Sequence, residues 1–328
     1  MKIAPLKDIP ERPIPIFDNT DEEGTDFSKR KVLDTPAIFD EQTTFFRKKL
    51  GLNLFPCVVE GVPGVAINDS WSPLILSRMN VGKNNIGMLV NRTRVQIMEH
   101  VIGVLAGLGV DADIILQSSL LFSQSVSLPT KIDCAQEYID TLLKEGMIST
   151  RGTRKTFTVV EPTMIDFENK RGSYALLLPA EDAQDLTIDV MVSYPGAIGT
   201  QRLRVKINDE VMRRYIAGAR TPSYGFRRKL MRALDIFPVL QNIVNINTEK
   251  TTSIDKKGII NPRTEYDFND INLELLMHEV LDKLGAYGIP LDDGARFVGT
   301  VMIFAAGHGH DLSVMKSMQQ GVIKTTAL

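Results

Sequence analysis

The stretch DINLELLMHEVLDKLG, residues 270–285, is the part of this chain from which its fold and its chemistry are best predicted. Asp270 is a candidate helix N-cap, and Gly285 and Gly288 are available to end the helix. Apolar residues recur between them at the spacing of one buried helix stripe: Leu273, Leu276, Met277, Val280, Leu281 and Leu284. His278 and Asp282 stand four residues apart, so that an imidazole and a carboxylate can converge on one cation. Such a pair recurs often by chance and makes only half of a metal site.

Length and composition describe a chain that can bury a large core. Its 328 residues, 43% hydrophobic and 24% charged, exceed one ordinary domain, so two domains are expected. The formal net charge of −2 gives no reason to expect nucleic-acid binding. Cys57 and Cys134 form no CxxC pair, which argues against a disulfide framework or a cysteine-rich zinc module. Because neither a signal peptide nor a long apolar run stands out, we expect a soluble, cytoplasmic protein.

The chain is expected to fall into an arm and two domains. Residues 1–32 are rich in proline and charged side chains and predict an extended N-terminal arm. A polar, basic stretch at 149–155 separates a first domain, residues 33–150, from a second, residues 151–328. In both, strands precede a buried helix. This order predicts an α+β protein of two similar domains, each a layer of mainly antiparallel strands, with helices packed between the two sheets.

Local patterns give the bounds of individual elements. A helix is expected at 95–106, where Thr93 and Gln96 form a capping box, and its apolar character on most sides indicates burial. The second half has its clearest strands at 186–193 and 201–207. The other predicted elements are a helix at 135–144, a strand at 297–305 and a terminal helix at 311–319.

The four histidines each stand beside a candidate partner. They are His100, His278, His308 and His310. His100 directly follows Glu99 on the apolar helix, where a buried polar pair needs partners. A core histidine beside an exposed glutamate is nevertheless the commoner arrangement for such a pair. His308 lies between glycines at a predicted strand-to-helix turn, a place where a turn histidine without chemistry is equally common.

Several motifs stand in one order along the chain. They are Glu99-His100 followed by VIGVLAGLG at 101–109, then Ala219-Arg220-Thr221, His278-x-x-x-Asp282 and Gly307-His308. The segments 128–133 and 194–201 add two more. In this combination, which covers about residues 86–319, the chain resembles the zinc-dependent UDP-3-O-acyl-N-acetylglucosamine deacetylases of lipid A synthesis. Several motifs in one order are far more specific than any single motif.

The resemblance implies a zinc site with hydrolytic chemistry. The implied Zn²⁺ ligands are His100, His278 and Asp282, a set that leaves a fourth position for water. Glu99 would be the general base for that water. Thr221 would hydrogen-bond the developing oxyanion, and a cationic His308 would stabilise the same charge or protonate the leaving amine. Asp311 is a candidate partner for His308, whereas His310 matches no family position and is treated as a bystander.

The substrate side departs from the family pattern. The resemblance places Arg220, Glu279 and Gly307 at the substrate. Glu279 and Glu161, however, stand where the family has lysines, one of them associated with an anionic diphosphate, and like charge disfavours such a contact. A basic cluster within residues 213–232 is a candidate compensation, although a solvated helix face is the commoner role for such residues.

Three functions therefore remain open at this point. The first is removal of an N-acetyl group from an acylated UDP-glucosamine. The second keeps the zinc chemistry but acts on another N-acyl substrate, and the third is a descendant that binds a ligand without catalysis. In each enzymatic case the expected partner is a small amphipathic molecule, with no nucleic acid and no stable membrane insertion.

Overall fold

A computed structural model describes the chain apart from residues 7–9, 40–41, 44–48, 60, 68–69, 82–84, 119–124, 129–134, 170–171, 195–197, 224–250, 256–257, 261 and 306. The motif residues within 129–133 and 195–197 and the basic residues within 227–232 lie outside this described part. Of the helices, the described residues form α1 (Glu99–Gly107), α2 (Gln136–Leu142), α3 (Asp209–Val211), α4 (Glu274–Tyr287) and α5 (His308–Gln319). A π-helical turn, Met212–Ile216, continues α3. No helix in the described part of the chain is long and apolar enough to cross a membrane.

The strands are short and numerous. In chain order they are β1 (Lys2–Ala4), β2 (Phe17–Asp18), β3 (Lys29–Leu33), β4 (Ala37–Ile38), β5 (Gln42–Thr43), β6 (Lys49–Phe55), β7 (Gly64–Ile67), β8 (Ser70–Pro73), β9 (Met79–Val81), β10 (Ile86–Val90), β11 (Thr93–Gln96), β12 (Val110–Asp111), β13 (Asp113–Ser118), β14 (Ser125–Ser127), β15 (Ile148–Thr153), β16 (Thr156–Val159), β17 (Thr163–Asp166), β18 (Tyr174–Leu178), β19 (Leu186–Tyr194), β20 (Gly199–Lys206), β21 (Thr221–Ser223), β22 (Thr251–Asp255), β23 (Gly258–Ile260), β24 (Asp267–Phe268), β25 (Ile271–Asn272), β26 (Arg296–Phe297), β27 (Gly299–Phe304) and β28 (Thr325–Ala327).

The largest sheet belongs to the second half of the chain and is closed at both edges by the N-terminal segment. Its seven strands run in the order β1-β17-β18-β27-β19-β20-β2. Pairing is antiparallel except between β19 and β27 and between β2 and β20. Strand β19 is buried along most of its length because α4 packs on it. The N-terminal residues predicted to form an arm thus supply edge strands, and the division into an arm and two domains stays a prediction.

The first half builds smaller sheets. Strands β4, β6, β13, β7 and β8 are neighbours in that order, with β5 also paired to β6. A second sheet has the order β14-β11-β10-β9, and β12-β3-β15 form a third. Most pairings are antiparallel. Together with the few helices, these sheets confirm the predicted α+β class.

Two helices from different halves of the chain pack directly on one another, and glycines allow their close approach. A Cβ on Gly285 of α4 would lie 2.7 Å from the Cα atom of Glu99, at the start of α1. A Cβ on Gly103 of α1 would lie 2.6 Å from the carbonyl oxygen of Leu281. Real Cβ atoms do not approach backbone this closely, so α1 and α4 meet at a distance that only glycine permits.

We expect Gly285→Ala to separate α1 from α4. Because the new methyl group meets backbone atoms that cannot rotate away, the free energy of unfolding should fall by about 1–3 kcal/mol. Metal affinity should fall as well, since side chains at the metal centre described below come from both helices. Urea unfolding and zinc titration measure the two effects. The control is Gly309→Ala in α5, where the nearest described atom to a new Cβ is a Val81 methyl at 3.7 Å and no loss of stability is expected.

Two predicted helix starts were wrong. Residues 93–96 form strand β11, paired with β10 and β14, so the predicted capping box does not exist and α1 begins at Glu99. The left-handed backbone of Ile97 (φ 59°) separates this strand from the helix. Helix α4 begins at Glu274, and Asp270 lies in the preceding turn with φ 64°. The helix also continues through Gly285, and Gly288 follows its last residue as the C-cap. Pairing with neighbouring strands has outweighed the local helix signals in the first case. The other predicted elements agree with the structure to within a few residues at their ends.

Candidate metal centre

The contact between α1 and α4 brings together three side chains that the sequence singled out. His100 is the second residue of α1, and His278 and Asp282 lie one turn apart on α4. One potential ligand atom from each lies within 4.8 Å of the other two. All three residues belong to the interior of the protein, where polar groups require partners. The structure therefore places the predicted ligands together.

The distances within this group suit a four-coordinate metal ion. Asp282 Oδ1 lies 3.4 Å from His100 Nε2 and 3.7 Å from His278 Nε2. Two ligands bound at about 2.1 Å in a tetrahedron are separated by about 3.4 Å. Two imidazole nitrogens and one carboxylate oxygen are also a donor set that zinc prefers. The residues present thus fit a metal of the zinc type.

The carboxylate of Asp282 carries a further sign of a missing partner. Its Oδ1 atom is buried and has no hydrogen-bond partner within the described ranges of the chain. Burial alone would raise the pKa of Asp282, but the imidazoles of His278, His308 and His100 hold that pKa below its ordinary value. A buried, ionised oxygen without a hydrogen bond is costly unless a cation binds it. A metal ion held by His100, His278 and Asp282 would satisfy this atom.

A backbone carbonyl orients one of the imidazoles. His278 Nδ1 lies 3.1 Å from the carbonyl oxygen of Ala219. Since a carbonyl oxygen only accepts, Nδ1 carries the proton and Nε2 keeps its lone pair on the side that faces Asp282. An outer hydrogen bond of this kind fixes both the tautomer and the ring orientation of metal-binding histidines. His278 is therefore arranged to bind through Nε2.

Glu99 lies beside His100 in an environment that suits a general base. The residue is 4% exposed, and its Oε2 atom accepts a 2.9 Å hydrogen bond from the backbone N–H of Ile86. Burial raises the pKa of Glu99 above its ordinary value, and the neighbouring His100 acts in the opposite direction. A raised pKa brings a carboxylate closer to the range in which it takes up and releases protons. Glu99 is thus a fixed, basic carboxylate next to the metal centre.

The loop that carries Thr221 is held against α4 by a buried ion pair. Arg220 donates from Nε to Glu274 Oε1 at 2.6 Å and from Nη2 to Glu274 Oε2 at 2.9 Å, and its backbone N–H also reaches Oε1. Ala219, one residue earlier, bonds His278. Thr221 therefore begins strand β21 directly beside the helix that carries two of the predicted ligands. These contacts favour a structural role for Arg220, whose predicted substrate contact stays a prediction.

We expect Arg220→Met to destabilise the fold strongly. The substitution leaves the fully buried Glu274 carboxylate without its cation, a change that typically costs about 3–5 kcal/mol. Removing both partners in Arg220→Met/Glu274→Leu should recover much of that loss, because no buried charge then lacks a partner. Guanidinium unfolding of both variants measures the difference. Equal stability of the single variant and the wild type would contradict the buried pair.

His308 reaches the metal centre from α5. Its Nε2 atom lies 3.7 Å from Asp282 Oδ2, and its Nδ1 atom is buried with no hydrogen-bond partner among the residues that the structure describes. The expected hydrogen bond from His308 to Asp311 is not formed: Asp311 Oδ2 accepts from Lys283 Nζ at 2.9 Å, and Asp311 Oδ1 has no hydrogen-bond partner among the described residues. The prediction for Asp311 was wrong because a buried cation from α4 takes its carboxylate. His310 stacks on Phe167 at 4.3 Å.

The remaining predicted substrate residues lie at the edge of this centre. Glu279 stands next to His278 on α4, its side chain is 25% exposed, and its Oε2 atom lies 3.7 Å from Lys283 Nζ. Gly307 is exposed and precedes α5 as its N-cap. Glu161 is exposed. Of the basic cluster, Arg213 and Arg214 are exposed and lie beside Glu210. Substrate binding by Glu279, Gly307 and Arg220 stays a prediction.

Lys283 and Glu274 had no predicted role. A signal for both was present, because each is a charged residue inside the long apolar pattern of α4, where an unpaired charge is not tolerated. Their partners, Asp311 and Arg220, are distant in sequence and could not be identified from that pattern.

Comparisons with known proteins point to one family. A family model described as UDP-3-O-acyl N-acetylglycosamine deacetylase matches residues 49–320, which include every residue of the centre. Three curated proteins named UDP-3-O-acyl-N-acetylglucosamine deacetylase are similar to the chain. The one from Syntrophotalea carbinolica is 27% identical over 65% of this chain and 62% of its own length. The one from Syntrophus aciditrophicus is 22% identical over 68% of this chain and 64% of its own length. The one from Psychrobacter cryohalolentis is 26% identical over 66% of this chain and 61% of its own length. The chain thus spans less than two thirds of the length of these relatives.

Proposed function

Because the chain belongs to the UDP-3-O-acyl N-acetylglycosamine deacetylase family, we propose that it is a zinc-dependent amide hydrolase that removes an N-acetyl group from an acylated UDP-glucosamine. The single observation that carries this proposal is the convergence of His100, His278 and Asp282, with the buried Glu99 beside them. A site for ligand binding alone has no use for a base next to a metal ligand. This argues against a non-catalytic descendant.

Each side chain of the centre has its own role in amide hydrolysis. Zinc bound by His100, His278 and Asp282 would lower the pKa of water and polarise the amide carbonyl. Glu99 takes the proton from the attacking water, and a new C–O bond forms at the amide carbon. Thr221 and a protonated His308 stabilise the negative charge on the carbonyl oxygen. When the C–N bond breaks, the nitrogen takes a proton from His308 or Glu99 and leaves as a free amine, and acetate remains.

The charges around the centre bear on the substrate. Glu279 stands where a family lysine would meet an anionic diphosphate, which favours the alternative of a different N-acyl substrate. The ammonium of Lys283, 3.7 Å away, weakens the negative charge of Glu279. We therefore retain the acylated UDP-sugar as the first substrate to test, with a lipid A precursor as its biological context. A small amphipathic substrate and a cytoplasmic location belong to the same proposal.

The experiment offers the purified, zinc-loaded chain an acylated UDP-N-acetylglucosamine and measures free amine and acetate. The proposal expects both products in equal amounts. Zinc-loaded protein that leaves this substrate intact but deacylates other N-acyl compounds would favour the alternative substrate. Protein without stoichiometric zinc, whose metal content is unchanged in His278→Ala, would overturn both enzymatic readings.

A further inference from the structure

A buried ion pair joins the helix that carries two predicted metal ligands to the helix that carries His308. Lys283 directly follows Asp282 on α4, and its side chain is 1% exposed. Its Nζ atom donates to Asp311 Oδ2 at 2.9 Å, and Asp311 is itself fully buried. The pair is therefore shielded from water and salt, and its geometry is fixed by the packing around it.

The position of Asp311 on α5 connects this pair to His308. Asp311 lies three residues after His308 in the first turn of α5, so the two side chains project from neighbouring points of one helix face. His308 Nε2 is 3.7 Å from Asp282 Oδ2, whereas its Nδ1 atom is buried and has no hydrogen-bond partner in the described part of the chain. Among the described residues, no hydrogen bond at Nδ1 orients the ring. Its position therefore follows from the position of the first turn of α5.

We propose that Lys283 is a positioning residue for His308, which fixes the first turn of α5 against α4 through Asp311 and so holds the imidazole at the metal centre. The inference rests on the proposed function, in which His308 acts on the carbonyl oxygen or the leaving amine. Displacement of a catalytic group by about 1 Å can lower a rate about a hundredfold. Loss of the pair should therefore lower kcat and leave zinc binding by α1 and α4 in place.

The test compares two double variants that both remove the buried charges. Lys283→Met/Asp311→Leu removes the connection altogether. Lys283→Gln/Asp311→Gln conserves the combined length of the two side chains and can keep one N–H···O hydrogen bond between them. We expect the apolar pair to lower kcat by about 10- to 100-fold with KM nearly unchanged. The glutamine pair should retain kcat to within a few-fold, and an apolar pair with wild-type kcat would overturn the inference.

A double-mutant cycle separates positioning from general stabilisation. His308→Ala is introduced into the wild type and into the apolar pair. If Lys283 acts through His308, the loss of kcat caused by His308→Ala should be much smaller in the apolar pair, because the imidazole is already displaced there. If His308→Ala lowers kcat by the same factor in the wild type and in the apolar pair, the inference is contradicted.

Histidine-ring NMR of the zinc-loaded protein provides a readout that does not depend on turnover. The chain has four histidines, so each ring signal can be assigned by single substitution. We expect the His308 signal to shift in the apolar pair and to stay near its wild-type position in the glutamine pair. If the wild type is inactive, the proposed function is wrong, and the NMR measurement alone then tests the inference. An unchanged His308 signal in the apolar pair would overturn the inference. If the apolar pair does not fold, Lys283→Met/Asp311→Asn replaces it throughout, since it also removes both buried charges, conserves the shape of Asp311 and leaves methionine, which cannot donate a hydrogen bond, at position 283.

Discussion

His278→Ala is expected to abolish zinc binding and to lower kcat/KM by at least about a thousandfold. The substitution removes the imidazole whose Nε2 atom faces Asp282 and which Ala219 holds in the metal-binding tautomer. Two remaining ligands do not make a stable zinc site. If bound zinc supplies about 4 kcal/mol of transition-state stabilisation, its loss corresponds to roughly a thousandfold in rate.

Metal analysis and steady-state kinetics on the same preparation check this result. The matched control is His310→Ala, which also removes a histidine but one that stacks on Phe167 and is no predicted ligand. The control should keep one zinc per chain. Equal zinc content in His278→Ala and His310→Ala would contradict the assigned ligand set.

Glu99→Gln is expected to leave zinc bound and to lower kcat by about 10²- to 10⁴-fold, the range typical of a lost general base. Glutamine has the same shape, and its amide oxygen can still accept the hydrogen bond from Ile86. It cannot take up the proton of the attacking water. The defect should therefore appear in kcat, with the fold and the metal content unchanged.

Kinetics with the acylated UDP-sugar, together with zinc analysis, measure the effect of Glu99→Gln. Glu210→Gln serves as the control, because Glu210 is exposed and pairs only with Arg213 and Arg214 among its described contacts. That variant should match the wild type. A Glu99→Gln enzyme with wild-type kcat would remove Glu99 from the mechanism.

The helix with two ligands was predictable because its pattern is long and regular. Its apolar residues follow the period of a buried helix over more than two turns, so the relative placement of His278 and Asp282 needed no further information. The start of the helix was not predictable in the same way. Asp270 is a good N-cap residue by type, but it lies in a turn between β24 and β25.

The third ligand could not be predicted from local sequence patterns alone. His100 lies on a helix 178 positions earlier than His278, and only the family resemblance connected the two before the structure did. Their approach depends on Gly103 and Gly285, which let α1 and α4 touch. No periodicity within either segment indicates that contact. The capping signal at Thr93 also failed, because pairing with β10 and β14 made that segment a strand.

The pairing of buried charges was the least predictable part of the centre. Asp311 stood three residues from His308 and was expected to bond it, whereas the structure pairs it with Lys283. A buried ammonium competes strongly for a carboxylate because both lose hydration on folding. Which carboxylate it meets depends on how α5 packs on α4, and that packing arises only in the folded protein.

The most direct test of the central claim is a zinc titration of the metal-free chain, in which acetate release from an acylated UDP-N-acetylglucosamine is followed as zinc is added. Activity should rise linearly and reach its plateau at one zinc per chain, and His278→Ala should show neither binding nor activity. Full activity of the metal-free protein, or tight binding of one zinc with no acetate released, would contradict the account.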